Sequence, residues 1–142
     1  MGETRAHPLM RDRAAGLSPA MAQLLQRAAT ALDAQDLGAA EAALVGVLAV
    51  APACAEALRM QGVVLHLRGD FSAAVALLQH ADKLKPDDAL IQMNLATSRY
   101  ASGEPDAALA GLQRGCAMAP DFAPAWYNLG KTLKVRGESA AA

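Results

Sequence analysis

Between Ala55 and Asp88 the apolar positions fall into two short runs of helical period. Leu58, Gly62 and Leu65 recur at the three- and four-residue spacing that aligns side chains on one stripe of a helix. Arg68-Gly69-Asp70-Phe71 breaks the run with turn residues. Ala74, Leu78 and Ala81 set a second stripe. Lys85-Pro86 closes it, because proline lacks the N–H that would continue the helix. The stretch predicts two helices folded into a hairpin.

The hairpin recurs along the chain. Pro52, Pro86 and Pro120 are each 34 residues apart, as are Gly69, Gly103 and Gly137. Ala40, Ala74, Ala108 and Ala142 keep the same interval, and so do Leu44, Leu78 and Leu112. A fixed period of this length predicts an array: one hairpin is too small to bury its apolar face, and stacked neighbours make a continuous core. Full units are expected at 21–54, 55–88 and 89–122, with a partial unit at 123–142. The array as a whole runs over 18–142, after a flexible N-terminal leader of residues 1–17 that carries Arg5, Arg11 and Arg13.

Local signals place the boundaries. Ser18-Pro19 starts a helix expected to reach about Ala34, since serine accepts bonds from orphan N–H groups and proline suits the first turn. Asp36-Leu37-Gly38 turns into a second helix that ends before Pro52. The third unit is expected to be helical over Ala89–Ser102 and Pro105–Met118, around a turn at Gly103-Glu104-Pro105. The fourth begins at Ala123, turns at Arg136-Gly137-Glu138, and has its second helix just starting at Ala142. Ala28, Gly62, Ala96 and Gly130 share one small-residue slot, which lets the paired helix come close. Gly111 and Gly115, four apart, predict a similar close approach.

Composition agrees with such an array. Of 142 residues, 54% are apolar and only 4% aromatic, a mix suited to helices in close contact. A net charge of −1 gives no broad footprint for nucleic acid. Cys54 and Cys116 lie in no CxxC and read as reduced thiols of a cytoplasmic protein. Met1–Ala6 lacks the apolar core of a signal peptide, and the apolar run Ala42–Ala51 is about half a bilayer span, so no membrane partner is expected. His7, His66 and His80 are not spaced as ligands, and Glu3, Asp12, Asp33, Asp36, Glu41 and Glu56 read as solvated charges and turn residues. No catalytic residue, metal site or cofactor is expected.

Trp126-x2-Leu129-Gly130-x2-Leu133 and, more loosely, Leu58-x2-Gln61-Gly62-x2-Leu65 resemble the first half of the tetratricopeptide repeat signature. Ala40/Leu44/Pro52, Ala74/Leu78/Pro86 and Ala108/Leu112/Pro120 resemble its second half, in strict register. The resemblance covers about residues 21–142. It implies an all-α fold of tandem antiparallel hairpins, stacked as a right-handed superhelical solenoid whose first helices line a concave groove. It also implies a non-catalytic scaffold that binds a protein or peptide there. The alternative is an N-terminal recruiting or oligomerisation module of a larger modular enzyme, such as a glycosyl- or sulfotransferase.

In the family the groove side chains lie two residues before the small slot, where this chain has Gln26, Met60, Asn94 and Asn128. Asn94 and Asn128 resemble two rungs of the family's asparagine ladder, which bonds a peptide backbone through amide N–H and carbonyl. Arg59, Val63, His66, Met93, Thr97, Tyr100, Tyr127, Lys131 and Lys134 are the other expected groove residues. The family's clamp for chaperone C-terminal carboxylates is not supplied by Ala22, Gln26, Met60, Leu90 and Asn94. Two apolar surfaces are candidates for self-association: the C-terminal helix at Trp126, Leu129 and Leu133, and the uncharged face Gly38, Ala39, Ala42, Val45, Gly46 and Ala49.

Overall fold

The computed structural model describes residues 13–14 and 16–141; most of the expected leader, and Ala142, lie outside the described residues. The chain forms α1 (Pro19–Asp33), α2 (Leu37–Val50), α3 (Ala55–Leu67), α4 (Phe71–Leu84), α5 (Ala89–Ala101), α6 (Pro105–Met118) and α7 (Ala123–Ala141). No strand occurs among the described residues.

The starts of α1, α2 and α4 follow from side-chain caps. Met21 N–H donates to Ser18 Oγ at 3.3 Å, and Pro19 opens α1. Ala39 N–H donates to Asp36 Oδ1 at 3.1 Å, and Ala73 N–H to Asp70 Oδ1 at 3.4 Å. These caps satisfy N–H groups that a helix cannot pair internally. Each hairpin turn needs one residue in the left-handed region. Gly69 (φ 86°) and Gly103 (φ 90°) supply it without strain, whereas the first unit places Gln35 there at φ 58°.

The fourth unit differs from expectation. Arg136, Gly137 and Glu138 do not turn; α7 runs straight through them to Ala141. No returning helix meets α7 among the described residues.

Each hairpin packs its two helices together, and each second helix packs on the first helix of the next unit. Leu44, Leu78 and Leu112 fill equivalent core positions, with Ala40, Ala74 and Ala108 beside them fully buried. A Cβ added at Gly62 would sit 2.6 Å from Leu78 Cγ, so only glycine allows α3 and α4 their spacing. Gly111 brings α6 onto α5, 3.5 Å from Ala96 Cβ, and Gly115 lies 3.7 Å from the Ala89 carbonyl oxygen, as their spacing predicts. Gly130, in the slot of Gly62, meets nothing within 4 Å.

The first helices also touch one another, α1 to α3, α3 to α5 and α5 to α7, while second helices make at most a trace of such contact. The first helices therefore line the inner, concave side of a helical-repeat solenoid. On the outer side Ala42, Val45 and Ala49 are exposed, but Gly46 faces α1, where a Cβ would meet Leu24 Cδ1 at 3.1 Å.

Candidate functional site

The groove has two halves of different character. Between α1, α3 and the start of α5 it is held by ion pairs. Glu56, expected to be solvated, is instead 6% exposed in the first turn of α3. Arg59, one turn on, donates to it through Nε at 2.9 Å and through an Nη as well. Arg59 Nη1 also donates to Asn94 Oδ1 at 2.9 Å, which ties α3 to α5. Arg13 enters from the leader, donating from Nε to Glu56 and from Nη2 to Asp88 Oδ2 at 2.8 Å.

Asp88 is the cap of α5 and is 2% exposed. Its Oδ1 accepts from the N–H groups of Leu90 at 3.0 Å and Ile91 at 3.1 Å. Burial pushes its carboxyl pKa up, but Arg13, the Ile91 N–H and Lys85 together outweigh this and hold it below the usual value. Sequence reading missed Arg13, Glu56 and Asp88 as a unit. The only local signals were the Glu56–Arg59 spacing and an aspartate just before α5.

Other expected groove residues pack against their neighbours. Met60 is buried in the first core cluster, and its edge meets a cavity of about 260 Å³ together with Gln26 and Arg59. His66 is half-buried, with Nδ1 3.0 Å from Ser98 Oγ and its ring tilted against Phe71 at 5.1 Å. Burial lowers the His66 pKa, so the neutral ring is favoured. Val63, His66, Asn94, Thr97 and Ser98 meet around a small cavity between α3 and α5. Met93 is half-buried among the core side chains of α5 and α6.

Between α5 and α7 the surface opens. Thr97, Tyr100, Asn128 and Lys131 converge with Thr132 and Val135 around a cavity of about 110 Å³. Thr97 Oγ1 is turned back to the Met93 carbonyl at 2.9 Å. Tyr100 is half in water, and Asn128, half-buried, engages no partner among the described residues. Tyr127 is 71% exposed, and Lys131 and Lys134 stand exposed on the same helix. Four residues expected from the sequence therefore share one furrow, and one more ring, Tyr127, and one more cation, Lys134, lie along the same helix. The described residues hold no group of three His, Cys, Asp or Glu side chains placed for a metal. No described helix is long and apolar enough to cross a membrane. Cys54 and Cys116 are both unbridged.

Known proteins share this architecture. Sequence models described as tetratricopeptide repeat match residues 25–89 and 65–133. None of the curated proteins matches the sequence significantly. A mutant O-GlcNAc transferase of Thermobaculum terrenum is 31% identical over 87% of this chain, with a TM-score of 0.78. This chain spans only 23% of that transferase's length. The Sgt2 TPR domain from Aspergillus fumigatus is 16% identical, with a TM-score of 0.79 over 88% of this chain and 84% of that one. The first TPR of Spaghetti (RPAP3), bound to an HSP90 peptide, is 13% identical, with a TM-score of 0.74 over 84% of this chain and 95% of that one. The last two likenesses establish the fold alone. With the family matches over two overlapping stretches and the hairpins in register, the chain belongs to the tetratricopeptide repeat family.

Proposed function

We propose that the chain is a scaffold that holds a peptide or an extended protein segment in its concave groove, in solution in the cytoplasm, and does no chemistry itself. The observation that carries this reading is the furrow between α5 and α7. Asn128 presents there a carboxamide with no partner among the described residues, beside the exposed ring of Tyr100 and the cation of Lys131. A carboxamide offers both donor and acceptor to a peptide backbone, a ring offers stacking area, and a lysine favours an acidic group. That a neighbour of the same fold is bound to an HSP90 peptide supports this class of ligand. Loss of affinity for a captured peptide in Asn94→Ala/Asn128→Ala, with the fold intact, supports the reading; unchanged affinity contradicts it.

A second reading has its own support. The 31% identity to part of a transferase favours a role as the recruiting module of a larger enzyme. The coding sequence downstream of Ala142 tests it: a transferase domain in frame supports recruitment, and a stop codon removes it. Self-association through α7 is a further use of the same end, because Trp126 and Leu133 are both about half exposed. Sedimentation over a concentration series tests it, and a monomer throughout removes it.

A further inference from the structure

We propose that Glu56 and Asp88 form a guanidinium-binding site at the edge of the groove, filled in this chain by Arg13 and open to an arginine of a partner peptide once the leader is displaced. The two carboxylates sit at opposite ends of the 55–88 unit, Glu56 in the first turn of α3 and Asp88 capping α5 of the next unit, so the site exists only when α5 is stacked beside α3. Both are almost wholly buried. One guanidinium reaches both: Nε of Arg13 donates to Glu56 and Nη2 to Asp88. This two-pronged contact uses the planar fork of arginine, which the compact ammonium of lysine cannot reproduce.

The site is held in shape by groups other than its occupant. Arg59 fixes Glu56 from the same helix, and the Leu90 and Ile91 N–H groups fix Asp88. Lys85 approaches Asp88 at 3.4 Å, from a side chain that is itself 54% exposed. Without Arg13, two buried carboxylates would keep only these partners, and a buried charge short of a partner is costly. They would therefore draw in another guanidinium. Room for the chain that carries it lies alongside, in the cavity bounded by Arg13, Gln26, Arg59 and Met60.

Arg13 behaves as a ligand in cis. Leu17 N–H donates to the Ala14 carbonyl at 3.1 Å, and Ala14 and Leu17 both pack on the first core cluster. This holds Arg13 close to its site, at an effective concentration of about millimolar or above. A partner in trans must outcompete it, so the leader sets a threshold on access to this end of the groove. The inference extends the groove reading above, but its site lies between α1, α3 and α5, apart from the furrow at Asn128.

The test uses the full chain carrying Arg13→Ala, titrated with N-acetyl-argininamide and, separately, N-acetyl-lysinamide. The readouts are Tm and the backbone amide shifts of Leu90 and Ile91, which bond to Asp88. The arginine derivative is expected to raise the Tm of Arg13→Ala and move both amides. The lysine derivative should need about tenfold more, and the unsubstituted chain about tenfold more of the arginine derivative. Equal action of the two derivatives, or no response, overturns the proposal. Should Arg13→Ala fail to fold, Arg13→Lys keeps a cation in the site and must respond in the same order; silence there also overturns it. A peptide that fails to bind at Asn128 leaves these outcomes unaffected, because the probe is a single residue and the readout sits at Asp88.

Discussion

Arg59 Nη1 donates to Asn94 Oδ1 at 2.9 Å, across the gap between the first helices of the second and third repeats. This bond uses the carbonyl with which Asn94 would have met a peptide N–H. Asn128, one repeat on, has no such partner among the described residues. The two asparagines are alike in register and unlike in what they have left to offer. Asn128→Ala should weaken peptide binding about tenfold, the worth of roughly one well-made hydrogen bond. Asn94→Ala should weaken binding less but cost about 1 kcal/mol of stability, because it strips a half-buried guanidinium of an acceptor. Isothermal titration and urea unfolding of each single variant separate the effects.

Glycines of the same slot should respond oppositely to alanine. Gly62→Ala places a methyl 2.6 Å from Leu78 Cγ and forces α3 from α4. It should destabilise by about 1–3 kcal/mol. Gly130→Ala meets nothing within 4 Å and should stabilise by up to about 1 kcal/mol, the difference in helix propensity. Urea midpoints of the two variants check the pair.

Much of this was legible in the sequence, for identifiable reasons. The period, the hairpins and the buried Leu44, Leu78 and Leu112 follow from spacing alone, because each repeat meets only its neighbours. The furrow at Thr97, Tyr100, Asn128 and Lys131 was legible because helix register fixes which side chains share a face. The Arg13–Glu56–Asp88 site was not, since its members come from the leader and from the two ends of one repeat unit, and no local rule joins them. The expected turn at Gly137 followed the pattern of Gly69 and Gly103, which do turn, yet α7 continues through Gly137. Gln35 broke the pattern in the other direction: the turn formed where the glycine was missing.

That left-handed glutamine makes a further variant informative. For a residue with a Cβ, this conformation costs about 1–2 kcal/mol. Gln35→Gly should therefore raise stability by about 1 kcal/mol, despite the added freedom of the unfolded chain. Thermal unfolding measures it, and Gly69→Gln should move Tm the other way.

Two groups give stability a pH dependence of known sign. The native His66 pKa lies below its ordinary value of 6.5, so the unfolded chain takes up that proton first. Its contribution is present above about pH 6.5 and is lost as pH falls below it. Asp88, held below its ordinary 3.8, contributes above that value and loses its contribution as pH falls further. Urea midpoints should decline from about pH 7 to 5, and His66→Asn should flatten that slope. Arg13→Ala should flatten the decline below about pH 4 instead, because Arg13 is the foremost of the groups that pull Asp88 down.

Groove binding itself is tested most directly by selecting a peptide on the immobilised full chain and mapping its amide shifts on the protein. The shifts should gather at Thr97, Tyr100, Asn128 and Lys131, with α2 and α4 silent. Shifts confined to those second helices, or a selected peptide whose affinity survives Asn128→Ala unchanged, would contradict a binding role for the concave face.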